Sequence, residues 1–129
     1  MQVIVRDQDG IARRTSGSTT LDVPDRITLR DLISLRVREE VARYNLRPSV
    51  VFRGMVQPAD AEPVDGAYRL KHVRPLDWQK QARIAHESFE HNGFFVLVGE
   101  RQIGSLDEVL VVEPSTEIAF VRLVPLVGG

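Results

Sequence analysis

The sequence predicts an α+β fold: a mixed sheet packed on one main helix, with an inserted segment that contains a second helix. Three observations predict it. Residues 1–23 alternate apolar and polar side chains around an Asp9-Gly10 turn signal, as a β-hairpin does. A helical period follows from Thr28 to Tyr44. Alternating or strongly apolar strands return from Phe94 to the end. Helix and strands segregated in this order suit a helix on one face of a mixed sheet, not a repeated βαβ pattern.

The elements follow in order. Met1, Val3 and Val5 face one way and Gln2, Ile4 and Arg6 the other, which makes residues 1–7 a strand. Thr19–Val23 is the returning strand. Thr15–Ser18 is read as a small polar loop that lengthens the tip, and Pro24-Asp25 ends the strand. Thr28 is a helix cap, with Asp31 three residues on. Leu29, Leu32, Ile33, Arg36, Val37, Val41 and Tyr44 form the face the helix buries. Asn45 and Pro48 stop it. Ser49–Val56 and Ala67–Val73 read as strands separated by an exposed loop, Gln57–Gly66. Residues 75–92 read as a second helix, capped by Asp77, with Gly93 in the left-handed position after its end. Trp78, Ala82, Ala85 and Phe89 form its apolar stripe. Phe94–Val98 is the most apolar strand, Gly99 turns it, and Gln102-Ile103 begins a short extended piece. Ser105 and Glu108 have the spacing of a capping box. Glu117–Val124 is a final, central strand.

Composition narrows the chemistry. The 129 residues fit one domain, 1–129, and 43% apolar with 27% charged residues is the balance of a soluble globular protein. A net charge of −1 lacks the basic excess that nucleic acid or an anionic membrane would require, so neither is an expected partner. Without cysteine there are no disulfides, thiolate nucleophiles or zinc-thiolate sites. His72, His86 and His91 are scattered, and no metal site or bound cofactor is expected from them. The His86, Glu87, Glu90 and His91 group reads as a solvated helix face. Asp60, Glu62 and Asp65 read as an exposed acidic loop, and Thr15, Ser16, Ser18 and Thr19 as hydroxyls without a base. The opening MQVIVRD is not a signal peptide and no apolar run reaches membrane-spanning length, so the expected location is cytoplasmic. No catalytic residue is expected, and the protein is not expected to be an enzyme. Only Lys71 and Lys80 carry lysine amines, against 15 arginines. Genomic base composition can produce that bias, and so can selection against conjugation of the chain to itself.

The end of the sequence is its most informative stretch. Two terminal glycines arise by chance in about half a per cent of chains at ordinary glycine usage. Here an alternating strand feeds directly into Pro125-Leu126-Val127-Gly128-Gly129. This end resembles that of the ubiquitin-like β-grasp superfamily. It is particularly similar to the sulfur carriers, the small subunit of molybdopterin synthase and the thiamin sulfur carrier, whose Pro-x-x-Gly-Gly end Pro125, Gly128 and Gly129 match residue for residue. Phe95-Val96-Leu97-Val98-Gly99-Glu100-Arg101-Gln102-Ile103 looks like the strand, turn and strand of these proteins. Met1–Val5 and the helix start Ile27–Leu32 fit the same template. The resemblance covers about residues 1–47 and 94–129. Residues 48–93 depart from it as an insertion, which favours a bacterial ubiquitin-like modifier over a minimal sulfur carrier. Leu126 and Val127 stand where ubiquitin has arginine nearby, so an activating enzyme would have to accept an apolar tail.

The resemblance implies a role for each part of tail 125–129. Gly129 would be the site of C-terminal activation and conjugation, with Gly128 beside it. Pro125, Leu126 and Val127 would be recognised by a partner activating (adenylating) enzyme that uses ATP and magnesium. A conjugating enzyme, a deconjugating protease and an amine on a target protein are the further partners implied, the last joined through an isopeptide bond. The alternatives are a sulfur carrier with a thiocarboxylate on Gly129, and a non-covalent β-grasp interaction module.

Overall fold

The computed structural model describes residues 1–123. The elements run β1 (Gln2–Asp9), β2 (Arg14–Asp22), β3 (Arg26–Thr28), α1 (Leu29–Leu46), β4 (Val51–Phe52), β5 (Ala61–Val64), β6 (Ala67–Leu70), α2 (Trp78–Glu90), β7 (Phe94–Val98), β8 (Arg101–Gln102), β9 (Val109–Val111) and β10 (Ile118–Arg122). The fold is α+β, with a mixed sheet and two helices among the described residues. The chain divides into two compact units. One holds Met1–Leu32 and the chain from Phe89 onwards; the other holds Ile33–Ser88. Both helices cross that boundary, and residues 48–88 of the expected insertion fall in the second unit.

The first unit is built on a five-stranded sheet of order β2-β1-β10-β7-β8. β1 runs antiparallel to β2 and parallel to β10, which pairs antiparallel with β7. The alternation read from the sequence is the alternation of faces: Val3 and Val5 are buried while Gln2 and Ile4 are exposed. Phe94, Val96, Ile118 and Phe120 share the inner face, where the Phe94 and Phe120 rings lie 6.0 Å apart. In β10 four successive residues, Ile118–Val121, are buried, which is the pattern of a strand covered on both faces. The hairpin tip has Gly10 at φ 75° and Arg13 at φ 52°, and Arg13 N donates to the Gly10 carbonyl over 3.0 Å.

Thr15–Ser18, expected as loop, is instead part of β2. The pairing with β1 continues through it, with Ser16 as an extra residue in the register between Gly17 and Thr15. The backbone bonds of β1 need partners there whatever the polarity of the side chains, and a bulge absorbs the odd residue. A small second sheet, β3 against β9, had no expectation attached to it. It places the loop before β9 over the start of α1. Leu29 N donates to the Glu108 carbonyl (3.0 Å), Arg30 N to the Leu106 carbonyl (2.9 Å) and Asp31 N to the Thr28 hydroxyl (3.1 Å). The Thr28 cap was legible from the sequence; the two borrowed carbonyls were not. Thr28→Ala is expected to lower stability by about 1 kcal/mol, measured by urea unfolding, since the other orphan N–H groups keep their acceptors.

Two smaller expectations are corrected in this unit. The Glu108 carboxylate does not close a box on Ser105; both of its oxygens accept from one nitrogen of Arg101, Nη1, at 2.9 and 3.0 Å. A hydrogen bond charged on both sides is stronger than one from a neutral amide. After α2 the left-handed residue is Asn92 at φ 61°, not Gly93, an exchange that asparagine tolerates better than most side chains.

The second unit has a three-stranded sheet of order β4-β6-β5. Gln57–Gly66, expected as an exposed loop, contains β5, and Asp65-Gly66 is a two-residue hairpin turn with φ 46° and 78°. Both central residues sit at positive φ, the condition that favours Asp-Gly in this turn. Pro63 is tolerated because β5 is an edge strand. The strand expected over Ser49–Val56 shrinks to Val51–Phe52. The chain then turns beneath the Phe52 ring at Gly54, where an added Cβ would collide with that ring. Phe52 is itself buried and edge-packed on Tyr44 at 5.3 Å and 81°. Gly54→Ala is therefore expected to cost about 1–3 kcal/mol by overpacking, read as a lower unfolding midpoint.

Polar side chains tie the helices of this unit to its loops. The Arg36 guanidinium donates to Glu40 over 2.8 Å, and the other Glu40 oxygen accepts the Met55 amide at 3.0 Å. Asn45 Nδ2 donates to the Leu76 carbonyl and Leu76 N donates back to Asn45 Oδ1, each over 2.9 Å. The expected cap of α2 is present, Gln79 N donating to Asp77 at 2.9 Å. Ala82 and Ala85 of the expected stripe are buried, and so is Gln81, which donates to the Val56 carbonyl at 3.3 Å.

Candidate functional site

The residues singled out by the sequence, Pro125, Leu126, Val127, Gly128 and Gly129, lie outside the described residues. What is described is the strand that leads to them. β10 is the central strand of the five, and its last residue is fixed from both sides. Arg122 Nε donates to Asp9 at 2.9 Å, and the Arg122 carbonyl accepts the Gly10 amide at 2.9 Å. On the other side Arg122 is in register with Phe94, the first residue of β7. The ion pair is about three-quarters buried on each side, so it is less screened than a surface pair. The chain thus leaves the sheet at Leu123 from beside the β1–β2 turn. Leu123 is 42% exposed and Ile11, at that turn, 95% exposed. No sequence signal links Asp9 to Arg122, because 113 residues separate them.

The outer face of the sheet around this exit is apolar at its centre. Arg6 is in register with Ala119 and Gln8 with Val121; Ala119 is in register with Leu97 and Val121 with Phe95. Ala119 and Val121 are buried, while Phe95 and Leu97 remain half-exposed. Arg6 reaches Glu117 at 3.9 Å in an exposed pair of little energetic weight.

Other groups carry less chemistry. Among the described residues no set of three or more His, Cys, Asp or Glu side chains is arranged to hold a metal ion. His86 Nε2 lies 3.0 Å from the Ser34 hydroxyl. Asp60, Glu62 and Asp65 are strung along β5 and its turn. Ser16 of the hydroxyl group donates to the Asp7 carbonyl at 3.3 Å. A cavity of about 290 Å³ in the first unit is lined by Arg30, Phe89, Glu90, Phe94, Gln102 and Asp107. Its Arg30 already meets Asp107 at 3.3 Å. Lys71 and Lys80 are both exposed, and both lie in the second unit.

No described helix is long and apolar enough to cross a membrane. Comparison with protein-family models, with curated proteins and with solved structures finds no match to this chain.

Proposed function

We propose that this chain is a ubiquitin-like β-grasp protein modifier, activated at Gly129 and joined through it to an amine of a target protein. The observation that carries the reading is a Pro125-Leu126-Val127-Gly128-Gly129 segment issuing directly from the central strand of a mixed sheet. The sheet supports the fold assignment: the first and last strands lie side by side and parallel, flanked by their hairpin partners.

The chemistry follows from the weakness of a carboxylate as an electrophile. In the partner enzyme the Gly129 carboxylate attacks the α-phosphate of magnesium-bound ATP. Pyrophosphate leaves and an acyl-adenylate forms. A thiol then displaces AMP to give a thioester, and a target amine displaces the thiol to give an amide. Glycine at both terminal positions lets backbone approach the nucleotide closely, and Pro125 stiffens the approach by fixing φ near −65°. Ordering each tail residue costs about 1–2 kcal/mol, so the tail needs help from a folded surface. Phe95 and Leu97, half-exposed beside the exit, are the apolar surface best placed to give it. The chain itself contributes no catalytic group; it is the substrate of its activating enzyme.

The Pro-x-x-Gly-Gly match keeps a second reading, a sulfur carrier, in which a sulfide-level donor displaces AMP from the adenylate and leaves a thiocarboxylate. Intact mass under non-reducing conditions, after mixing with a candidate activating enzyme, ATP and magnesium, tests both. A thiol-sensitive adduct on the full chain, absent when Gly129 is deleted, supports the modifier. A gain matching one oxygen exchanged for sulfur supports the carrier. Neither, with every adenylating partner tried, leaves the non-covalent interaction module.

A further inference from the structure

The second unit holds an open cavity of about 420 Å³ that the tail chemistry does not use. One wall is α1, where Glu40, Arg43 and Tyr44 share a helix face by their spacing. The other wall belongs to the segment that departs from the ubiquitin-like template. It is formed by Ser49, half-buried Val51 and Arg53, with Phe52 buried between the last two.

The acceptors around this cavity are occupied. One Glu40 oxygen accepts from Arg36 and the other from the Met55 amide. The Tyr44 carbonyl accepts the Arg47 amide at 3.0 Å, and the Ser49 carbonyl accepts the Tyr44 hydroxyl at 2.6 Å. The Val51 carbonyl accepts the Ser49 hydroxyl at 2.9 Å. The two guanidinium groups are in the opposite state. Arg43 and Arg53 are exposed, and among the described residues neither side chain has a hydrogen-bond or ion-pair partner. Glu39, one helical turn before Arg43, makes no ion pair with it. Residues 33–88 hold ten Arg and Lys against seven Asp and Glu, so this unit has an excess of cations in a chain of net charge −1.

A cavity with occupied acceptors and two free forks of N–H donors selects an anion. Guanidinium groups pair with phosphate oxygens two at a time. Two unpaired guanidinium charges balance one dianion, whereas a single carboxylate leaves one of them uncompensated. Val51 and Tyr44 give the rim an apolar side on which an organic carrier of the phosphate can rest.

We propose that this cavity binds a dianionic phosphate group, held by Arg43 and Arg53. The site lies in the second unit alone and is independent of the modifier reading, which the adduct mass tests separately.

The test is titration of the full chain with inorganic phosphate, phenyl phosphate and acetate at constant ionic strength, followed by amide NMR shifts. Saturable shifts are expected for both phosphates, centred on residues 43–44 and 51–53, with acetate weaker. Arg43→Gln and Arg53→Gln are each expected to weaken phosphate binding about tenfold, while Arg83→Gln, outside the cavity, leaves it unchanged. Both cavity arginines are exposed, so the unfolding midpoint of each variant should change little. Tighter binding of phenyl phosphate than of inorganic phosphate assigns the group to an organic carrier; equal affinity assigns free phosphate. Shifts that never saturate overturn the inference. So does acetate binding as tightly as phosphate, or phosphate binding that both glutamine variants retain.

Discussion

Replacing Gly129 by alanine is expected to abolish C-terminal activation while leaving the thermal midpoint where it is in the unchanged chain. The two halves of that outcome come from different places. In the proposed mechanism the backbone that leads up to the terminal carboxylate enters a site built for glycine, and a methyl beside that carboxylate would exclude it. Folding does not depend on the residue, because the last strand is held by Arg122, through Asp9 and Gly10, well before position 129. The measurement is the yield of adduct by intact mass, run beside a thermal melt. Activation at the original rate would remove Gly129 from the chemistry. A fall in both activation and midpoint would make the tail part of the fold.

The largest expected effect on stability is elsewhere, at Glu40. Glu40→Ala is expected to lower the free energy of unfolding by about 3–5 kcal/mol, read as a lower urea midpoint at constant slope. The Glu40 and Arg36 side chains are 14% and 7% exposed, and Glu40 also accepts the Met55 amide. Truncation therefore takes the carboxylate from a buried guanidinium and the acceptor from a backbone N–H in one change. Against the 5–15 kcal/mol that a domain of this size has in total, that loss is large. The pair need not be a net stabiliser for this to hold. Replacing both residues together, Arg36→Met with Glu40→Leu, is expected to cost much less, because no charge is then left stranded.

Local signals in the sequence determined much of the first unit. The alternation of Val3 and Val5, the Asp9-Gly10 turn, the Thr28 cap and the apolar run Phe94–Val98 each involve neighbours a few residues apart. Short-range sterics and hydrogen bonding decide such features without help from the rest of the chain. Asp65-Gly66 is an equally local signal, but the prolines and acids around it favour a loop in the sequence. The tail was legible in another way, as a residue pattern in Pro125, Gly128 and Gly129, which says what chemistry to test and nothing about geometry.

Only the tertiary structure decided the partners across long separations. β2 extends through Thr15–Ser18 because β1 offers backbone bonds there, although nothing in that polar stretch favours a strand. β9 forms because β3 lies opposite it, Ile27 in register with Leu110, 83 residues later. Arg36 sits on the buried face of α1 because Glu40, itself anchored by the Met55 amide, neutralises it there. Asp9 and Arg122 meet because β1 and β10 run parallel at the centre of the sheet. In each case the deciding energy is the cost of an unpaired backbone or charged group away from water. That cost depends on which segments the fold brings together, and no window of sequence contains it.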